Sequence, residues 1–321
     1  MKILLTSDWH KTPFKEEKFQ TQKKNLGERI IQFLGGIGAD AVMEQMEKVI
    51  REKVISIVIH NGDMMESSRN ERGLSTSKDL QEAMKIRDTF ISESGVNRFI
   101  LNAGNHELGY VLPLSTDPNG GISSMSMYNF VELAGCDGDF FQVVLVDGFK
   151  IILIPYLFSE DEAAIGHDLL LWKKVFLRNL KRELSESEST VLLLHDPDSL
   201  ADENLLRLIS LYREKIKLIF CGHYHAEATL RFVKWLVRIF NSSWLLPIRC
   251  LVMLSLWPVF GWPIAKAIRE YFRKRKNIPD LIKELNVQII PAPGGMLGFG
   301  GGFLILNLFE DGKFEIEKHL I

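Results

Sequence analysis

Short apolar runs alternate with longer amphipathic stretches along most of the chain. Runs rich in Ile, Val and Leu and bounded by Gly, Asp, Asn or Pro predict strands, at 2–6, 54–60, 98–102, 150–157, 190–194 and 216–220. Apolar positions at helical spacing predict helices between them, over 39–53, 77–94, 162–184 and 199–214. Ser199 is the predicted N-cap of the last helix. Strand–helix alternation of this kind is typical of a layered α/β domain.

The C-terminal part of the chain departs from this alternation. Residues 228–277 form an apolar stretch flanked by Arg and Lys, and they interrupt the pattern directly after the strand at 216–220. Closing strands are predicted within 286–295 and 301–320, the latter a hairpin that turns at Asp311-Gly312.

Composition places the chain among ordinary globular proteins. It has 321 residues, of which 46% are hydrophobic and 25% charged, enough for one large domain with a sizeable core. The three cysteines lie far apart and form neither a disulfide framework nor a thiolate metal motif, which favours a reducing compartment. The apolar run at the N-terminus is too short for a signal-peptide core. We therefore expect a cytoplasmic protein.

Net charge is distributed unevenly. Residues 230–277 contain ten basic residues and one acid, Glu270, and therefore carry +9. Because the whole chain carries −2, the remainder carries −11. An acidic body with one strongly basic segment predicts an anionic partner for that segment alone.

The basic segment also has the pattern of an interfacial membrane element. Two predicted helical faces carry its bases, at 231–238 and 266–276, around the uncharged residues 250–265. Four of the six tryptophans lie here, as expected at a membrane interface. The uncharged run is shorter than the ~20 residues of a single span, so a hairpin dipping into one leaflet fits better. A helical lid or dimer interface is the alternative, and nucleic acid binding is disfavoured by the apolar excess.

Polar residues able to bind metal follow five of the predicted strands. In an α/β sheet, ligands usually bind beyond the carboxyl ends of the strands. Members of the pairs Asp8/His10 and His223/His225 are two apart, so on extended backbone they would point to the same side. Seven ligand candidates are therefore predicted to converge at one edge: Asp8, His10, Asp63, Asn105, His195, His223 and His225. His60, in contrast, is expected to pack within its strand.

Each of these motifs is weak alone, because a polar residue after a strand is commonly just turn chemistry. In order they read SDWH, NGD, GNHE, LHD and GHYH. This series resembles the calcineurin-like metallophosphoesterase superfamily, with its pattern D-x-H, G-D, G-N-H-(D/E), H and G-H-x-H. The resemblance spans residues 1–225 and resumes at about 280–321.

The resemblance implies a fold and a metal centre. The implied fold is a four-layer αββα sandwich, two mixed sheets flanked by helices. We expect a single domain over 1–321, in which the charge and apolar pattern described above predicts a membrane-interfacial helical segment inserted at 228–277. By the family pattern one ion is bound by Asp8, His10, Asp63 and His225. The other is bound by Asn105, His195, His223 and the bridging Asp63. His106 is the implied proton donor to the leaving oxygen, with Asn105 aiming its imidazole and Glu107 as an orienting partner.

The implied chemistry is phosphoester hydrolysis. Two cations ~3.5–4 Å apart can activate a hydroxide and clamp the phosphoryl oxygens. Imidazole ligands suit Mn, Fe or Zn better than Mg or Ca, and Mn is favoured. We expect an enzyme that cleaves a phosphate ester or pyrophosphate bond of a membrane lipid, peripheral or monotopic on the cytoplasmic face. The alternatives are a soluble nuclease or nucleotide phosphodiesterase, with 228–277 as lid or dimer interface, and a non-catalytic scaffold, which an intact ligand set disfavours.

Overall fold

The computed structural model describes residues 1–10, 39–64, 77–108, 124–134, 140–159, 167–223, 276–293 and 301–320, with 122, 234, 235 and 238. The strands in these residues are β1 (Lys2–Thr6), β2 (Ile57–His60), β3 (Arg98–Leu101), β4 (Gln142–Val146), β5 (Phe149–Ile154), β6 (Thr190–Leu194), β7 (Ile216–Cys221), β8 (Gln288–Ile289), β9 (Gly302–Leu308) and β10 (Phe314–Leu320). The α-helices are α1 (Ala39–Lys53), α2 (Ser77–Ser94), α3 (Ser124–Ala134), α4 (His167–Glu186), α5 (Glu203–Leu211) and α6 (Ile278–Glu284). Short 3-10 helices lie at Tyr156–Ser159 and Pro197–Ala201.

The strands form two mixed sheets. Sheet one has the order β10-β9-β1-β2-β3, and sheet two has the order β4-β5-β6-β7-β8. The run β1-β2-β3 is parallel, as is the run β5-β6-β7-β8, whereas β4, β9 and β10 pair antiparallel. Each strand that precedes a candidate ligand belongs to a parallel run. The carboxyl ends of these strands therefore gather at one edge of each sheet.

Alternate positions along the strands separate the two sides of each sheet. Ile3 and Leu5 of β1 belong to an apolar cluster that contains residues of both sheets but, among the described residues, of no helix. Leu4, between them, belongs to a second cluster that includes residues of the helices. The period of two in a strand thus places one face against the other sheet and one face against helices. This arrangement confirms the predicted sandwich of two mixed sheets flanked by helices.

Four elements have the predicted bounds, the other elements with predicted bounds differ at one or both ends by one to five residues, and one predicted cap is wrong. Strands β1 and β6 and helices α1 and α2 have the predicted bounds. Helix α5 begins at Glu203, and its N-cap is Asp202, whose carboxylate accepts hydrogen bonds from the backbone N–H of Asn204 and Leu205. Ser199 lies instead inside the preceding 3-10 helix. Pro197 opens that turn, since its fixed φ suits the first helical position.

Three elements, α3, β4 and α6, were not predicted from the sequence, nor were the two 3-10 helices. Strand β4 pairs with β5 through a tight turn at Asp147 and Gly148, both with positive φ. Asp-Gly between apolar runs is a strong hairpin signal, so the sequence did contain the information for this strand.

The inserted segment 228–277 lies outside the described residues except for 234, 235, 238, 276 and 277. Its boundaries and its helical hairpin stay predictions, as does the division of the chain into one domain. Within the described part of the chain, no helix has the length and apolar character needed to cross a membrane.

Candidate metal centre

The candidate ligands lie in the loops that follow the strands at the gathered edge. Asp8 and His10 follow β1, and both have left-handed backbone, with φ of 56° and 45°. The prediction that they sit on extended backbone is therefore wrong. Strand β1 ends at Thr6 because the chain then turns across the neighbouring loop, where the N–H of Asp8 donates to Gly62 O at 2.9 Å. The N–H of His10 donates to Asp63 O at 3.1 Å and continues this crossing.

One cluster joins the two sheets. It comprises Asp8 and Asp63 from sheet one with His195 and His223 from sheet two, and their ligand atoms all lie within 4.8 Å of one another. Asp63 Oδ2 is 3.3 Å from His195 Nε2 and 3.9 Å from His223 Nδ1. Four residues that are widely separated in sequence thus present two carboxylates and two imidazoles to a common centre.

A second cluster shares Asp63 with the first. It comprises His10, Asp63 and His106, whose ligand atoms also lie within 4.8 Å of one another. His10 Nε2 is 4.0 Å from Asp63 Oδ2, and the rings of His10 and His106 have centroids 4.8 Å apart. Asp63 is the residue common to both clusters, which is the position that a bridging ligand would occupy. His225 lies outside the described residues.

His195 is held by hydrogen bonds on both ring nitrogens. Nδ1 lies 2.7 Å from the backbone oxygen of Asn61, and Nε2 lies 3.1 Å from Asn105 Oδ1. A carbonyl oxygen can only accept, so Nδ1 carries a proton and Nε2 is the nitrogen that faces Asn105 and Asp63. The ring is therefore oriented before any cation binds. Asn105, predicted as a ligand, is brought to the same centre.

The electrostatics of the centre favour positive charge. Burial lowers the pKa of His195, but the charge of Asp63 and its hydrogen bond outweigh burial and raise that pKa to about 10. Burial raises the pKa of Asp63, yet the charges of His195 and His106 and hydrogen bonds from His195 and His223 hold it well below its usual range. The pKa of His223 is raised by Asp196 and Asp63 against the lowering effect of burial. The buried pocket thus contains two carboxylates and several imidazoles, and it attracts protons. This donor set fits divalent cations.

The loops approach one another too closely to admit side chains at two glycines. A Cβ at Gly222 would lie 2.1 Å from Ser7 Oγ, and one at Gly104 would lie 2.3 Å from Asp63 Oδ1. The close approach at Gly222 lets the backbone N–H of His223 donate to Asp8 Oδ2 at 2.9 Å. The glycines in the GNHE and GHYH motifs thus serve close packing between loops.

Glu107 has a different role from the one expected. It was predicted to orient His106, but its buried carboxylate accepts backbone N–H groups of two loops. Oε2 accepts from Asp63 at 2.8 Å and from Gly104 at 2.9 Å, and Oε1 accepts from Met64 at 2.7 Å. Burial and the nearby charge of Asp63 raise the pKa of Glu107 to about 7, against these hydrogen bonds. Glu107 therefore fixes the backbone that carries Asp63.

Two functional candidates were missed by the sequence reasoning. Asn61 and Asn102 directly follow β2 and β3, are fully buried, and donate to the carboxyl ends of sheet-two strands. The signal that could have identified them is a polar residue that immediately follows an apolar strand in the HNGD and NAGNHE stretches.

Two further polar residues lie beside the centre. Asp196 caps the second 3-10 helix through Asp198, and its Oδ2 is 4.0 Å from His223 Nε2. His60 is fully buried, with its ring centroid 4.7 Å from that of Trp9, and burial lowers its pKa to about 3. The placement of His60 agrees with the expected packed strand histidine.

The family model for calcineurin-like phosphoesterases matches residues 1–227. The chain belongs to this family. Its members are metal-dependent phosphohydrolases with a dinuclear divalent metal centre, and the two Asp/His clusters that share Asp63 are the candidate for that centre. The chain is thus a metal-dependent phosphohydrolase.

Solved structures are similar in fold. A dimetal phosphatase from Danio rerio has 11% sequence identity and a TM-score of 0.53, with 99% of this chain and 95% of that chain covered. GAP50, the anchor in the inner membrane complex of Plasmodium, has 14% identity and a TM-score of 0.37, with 70% and 65% covered. No curated protein matches the chain.

Proposed function

We propose that this phosphohydrolase cleaves a phosphate ester or pyrophosphate bond of a membrane lipid, with two bound ions of which Mn²⁺ is favoured over Fe or Zn. The observation that carries the catalytic part is the sharing of Asp63 by two clusters of Asp and His. Only a carboxylate among the side chains present offers two oxygens and a negative charge for two cations at once.

The proposed ligands divide between two ions according to the family pattern rather than according to the two clusters: Asp8 lies in the cluster of His195 and His223, but its Oδ1 is also 3.9 Å from His10 Nε2. Asp8, His10 and Asp63, with His225, would hold one ion, and Asn105, His195 and His223, with Asp63, would hold the other. The distances of 3.3 to 4.0 Å between Asp63 Oδ2 and nitrogens of His195, His223 and His10 support a shared position for this carboxylate. Mixed imidazole and carboxylate donors favour transition metals over Mg²⁺ or Ca²⁺.

The chain supplies the proton and the orientation. When bound, the cations make hydroxide available at neutral pH and neutralise phosphoryl charge. His106 is proposed to protonate the leaving oxygen: its ring is partly exposed, so a substrate can reach it, while its backbone N–H donates to Asp63 Oδ1 at 2.9 Å. That backbone bond fixes His106 relative to the shared carboxylate. Asn105, one residue earlier, faces His195 and holds the loop in the centre.

The lipid part of the proposal depends on the basic segment. Residues 228–277 begin five positions after His223 in the sequence, so we expect the segment to start near the candidate centre. Of its described residues, Lys234, Trp235 and Arg238 are helical, and Trp235 is half exposed. A charge of +9 over 230–277, beside apolar and aromatic residues, suits an anionic bilayer surface. Docked there, the centre would face phosphorylated headgroups on the cytoplasmic side.

The test combines flotation with a substrate panel. Mn²⁺-loaded protein is mixed with vesicles of neutral lipid, or with vesicles that contain roughly 30% anionic lipid to give a strong surface potential. Activity is measured on lipid phosphates, a lipid pyrophosphate and oligonucleotides. We expect flotation with anionic vesicles and turnover of a lipid substrate. A matched variant replaces Leu254, Trp257 and Phe260 by Ser; it should stay soluble and keep activity on a small soluble phosphodiester.

Two outcomes would overturn the lipid proposal. Wild-type protein that stays soluble with every vesicle contradicts the membrane role. Turnover of oligonucleotides or nucleotides without turnover of any lipid identifies a soluble nuclease or nucleotide phosphodiesterase, with the segment as lid or dimer interface.

A further inference from the structure

Two buried asparagines connect the sheets at the edge that carries the candidate centre. Asn61 follows β2 of sheet one, and its Nδ2 donates at 2.7 Å to the oxygen of Leu194, the last residue of β6 in sheet two. Asn102 follows β3 of sheet one, and its Nδ2 donates at 3.0 Å to the oxygen of Ile154, the last residue of β5 in sheet two. Both side chains are at most 1% exposed.

The two amides also bond to each other. Asn102 Nδ2 donates to Asn61 Oδ1 at 2.9 Å, and Asn102 Oδ1 accepts the N–H of Ala103 at 3.0 Å. In each of the two amides, Nδ2 therefore donates a hydrogen bond and Oδ1 accepts one. These bonds offset the free-energy cost of burying the amides. We call Asn61 and Asn102 the inter-sheet clamp.

The clamp lies next to the ligands on both sides. Asn61 is two residues before Asp63, and its own backbone oxygen is the partner of His195 Nδ1 at 2.7 Å. Asn102 is three residues before Asn105, and Leu194 directly precedes His195. A displacement of one sheet along the other would therefore move the oxygen donors of sheet one relative to the imidazoles of sheet two.

Apolar packing alone does not fix that relation. Between the sheets, the cluster around Ile3, Leu5 and Leu193 consists of aliphatic and Phe side chains, whose attraction is non-directional. Hydrogen bonds, in contrast, weaken steeply with distance and angle. Directional links between the sheets therefore set the separation of the two ligand groups more sharply than the apolar core does. The clamp is the buried side-chain part of these links, beside the bonds from Gln142 Nε2 to Leu101 O at 2.9 Å and from Tyr156 N–H to Ala103 O at 3.0 Å.

We propose that the inter-sheet clamp is a positioning device for the metal centre, holding Asp63 and Asn105 of sheet one at the separation from His195 and His223 that cation binding requires. This inference depends on the metal centre proposed above, but not on the lipid substrate.

The test compares clamp variants with a buried asparagine elsewhere. Asn61→Ala removes the side-chain link but keeps the backbone oxygen that faces His195, and Asn102→Ala removes the bonds of its own amide. Asn307→Ala is the matched control: Asn307 is 7% exposed, lies in β9 of sheet one, and donates to Glu317 at 3.0 Å. It pairs with Lys2, at the opposite end of β1 from the centre.

The readouts are the melting temperature of metal-free protein, Mn²⁺ affinity by competition with a chelator, and electron paramagnetic resonance, which distinguishes paired from isolated Mn²⁺. We expect each variant to lower the metal-free melting temperature by ~2–8 °C, since each loses buried hydrogen bonds. Only the clamp variants should weaken Mn²⁺ binding, by ~10–100-fold, and reduce the signal of paired ions. Stabilisation by added Mn²⁺ should shrink in parallel.

The outcomes separate the two proposals. Wild-type protein that binds fewer than two Mn²⁺ ions contradicts the metal centre, and the clamp inference with it. If wild-type protein binds two ions and the clamp variants have unchanged Mn²⁺ affinity, the clamp inference alone is contradicted. The same holds if Asn307→Ala weakens Mn²⁺ binding as much as the clamp variants do. Should Asn102→Ala not fold, Asn61→Ala decides, because it loses fewer hydrogen bonds: those of its amide with Leu194 O and with Asn102.

Discussion

The two sheets contribute different chemistry to the candidate centre. Among the described ligand candidates, the oxygen donors Asp8, Asp63 and Asn105 follow strands of sheet one, as does the imidazole of His10, whereas sheet two contributes imidazoles alone, those of His195 and His223. Backbone conformation does not follow this division: Asp8 and Asp63 of sheet one and His223 of sheet two have left-handed φ, whereas Asn105 and His195 do not.

This difference indicates how each half is stabilised. Carboxylates that crowd together repel each other, and their loops adopt a backbone that costs free energy. Their positions therefore depend on hydrogen bonds from other residues, such as the three that Glu107 accepts from backbone N–H groups. The imidazoles of sheet two take up protons, which the neighbouring carboxylates stabilise and which a cation must displace. We expect backbone anchors to matter most for the first half and pH to matter most for the second.

The largest expected effect is that of Asp63→Asn, which acts on both clusters. The amide keeps the shape but removes the negative charge, so we expect activity to fall by more than about 10⁴-fold, beyond the loss from a missing general acid. Metal analysis at saturating Mn²⁺ should give at most one ion per chain. His223→Ala, on the imidazole side, should lose affinity at one position only; two intact ions in Asp63→Asn would contradict the shared role.

The effect of His106→Ala on activity should be the next largest. We expect two ions to stay bound while turnover falls ~10²–10⁴-fold, the usual range for a general acid. The loss should shrink for a nitrophenyl ester, whose leaving group needs no proton. Equal losses on both substrates would show that His106 positions phosphate instead, and loss of an ion would show that it is a ligand, as its place beside His10 permits.

Glu107→Gln tests the support of the carboxylate half. A Gln amide can accept at only one of its two terminal atoms, so at least one N–H of Asp63, Met64 or Gly104 loses its acceptor. We expect the free energy of unfolding to fall by ~2–4 kcal/mol and Mn²⁺ affinity to fall ~10-fold. Glu317→Gln, at the partly exposed pair with Lys53, is the control and should cost less than ~1 kcal/mol without changing affinity. Urea unfolding with and without Mn²⁺ measures both quantities.

The smallest effect concerns pH and the imidazole half. His195 has a folded-state pKa of about 10 against an ordinary value of 6.5, so the folded state binds more protons between these values. This contribution to stability is complete below pH 6.5 and is lost as pH rises towards 10. We expect metal-free protein to lose at most ~1.4 kcal/mol per pH unit from this group between pH 7 and 8.5.

Metal binding should respond in the opposite direction. Because a cation must displace the proton from the imidazole, Mn²⁺ affinity should rise over the same pH range. Urea unfolding in EDTA and chelator competition at pH 7 and 8.5 measure the two trends. If stability of the metal-free protein rises with pH in this window, the assignment of the proton to His195 is wrong.

The sequence by itself determined many of the elements and the candidate ligands. The bounds of β1, β6, α1 and α2 follow from local periodicity, since apolar spacing and flanking residues act within one segment. The motifs SDWH, NGD, GNHE, LHD and GHYH placed polar residues at strand ends and indicated the family, because parallel strands bring their carboxyl ends to one edge.

Only the tertiary structure decided how the loops at that edge are built. The bond from the N–H of Asp8 to Gly62 O, the bonds from Asp63 and Met64 to Glu107 and the bond from Asn102 to Ile154 O each join residues that are 43 or more positions apart. Local spacing cannot specify such bonds, because a buried polar group bonds to whichever partner the packed fold brings within reach. Which nitrogen of His195 faces the centre was settled in the same way, by the backbone oxygen of Asn61 on the opposite sheet.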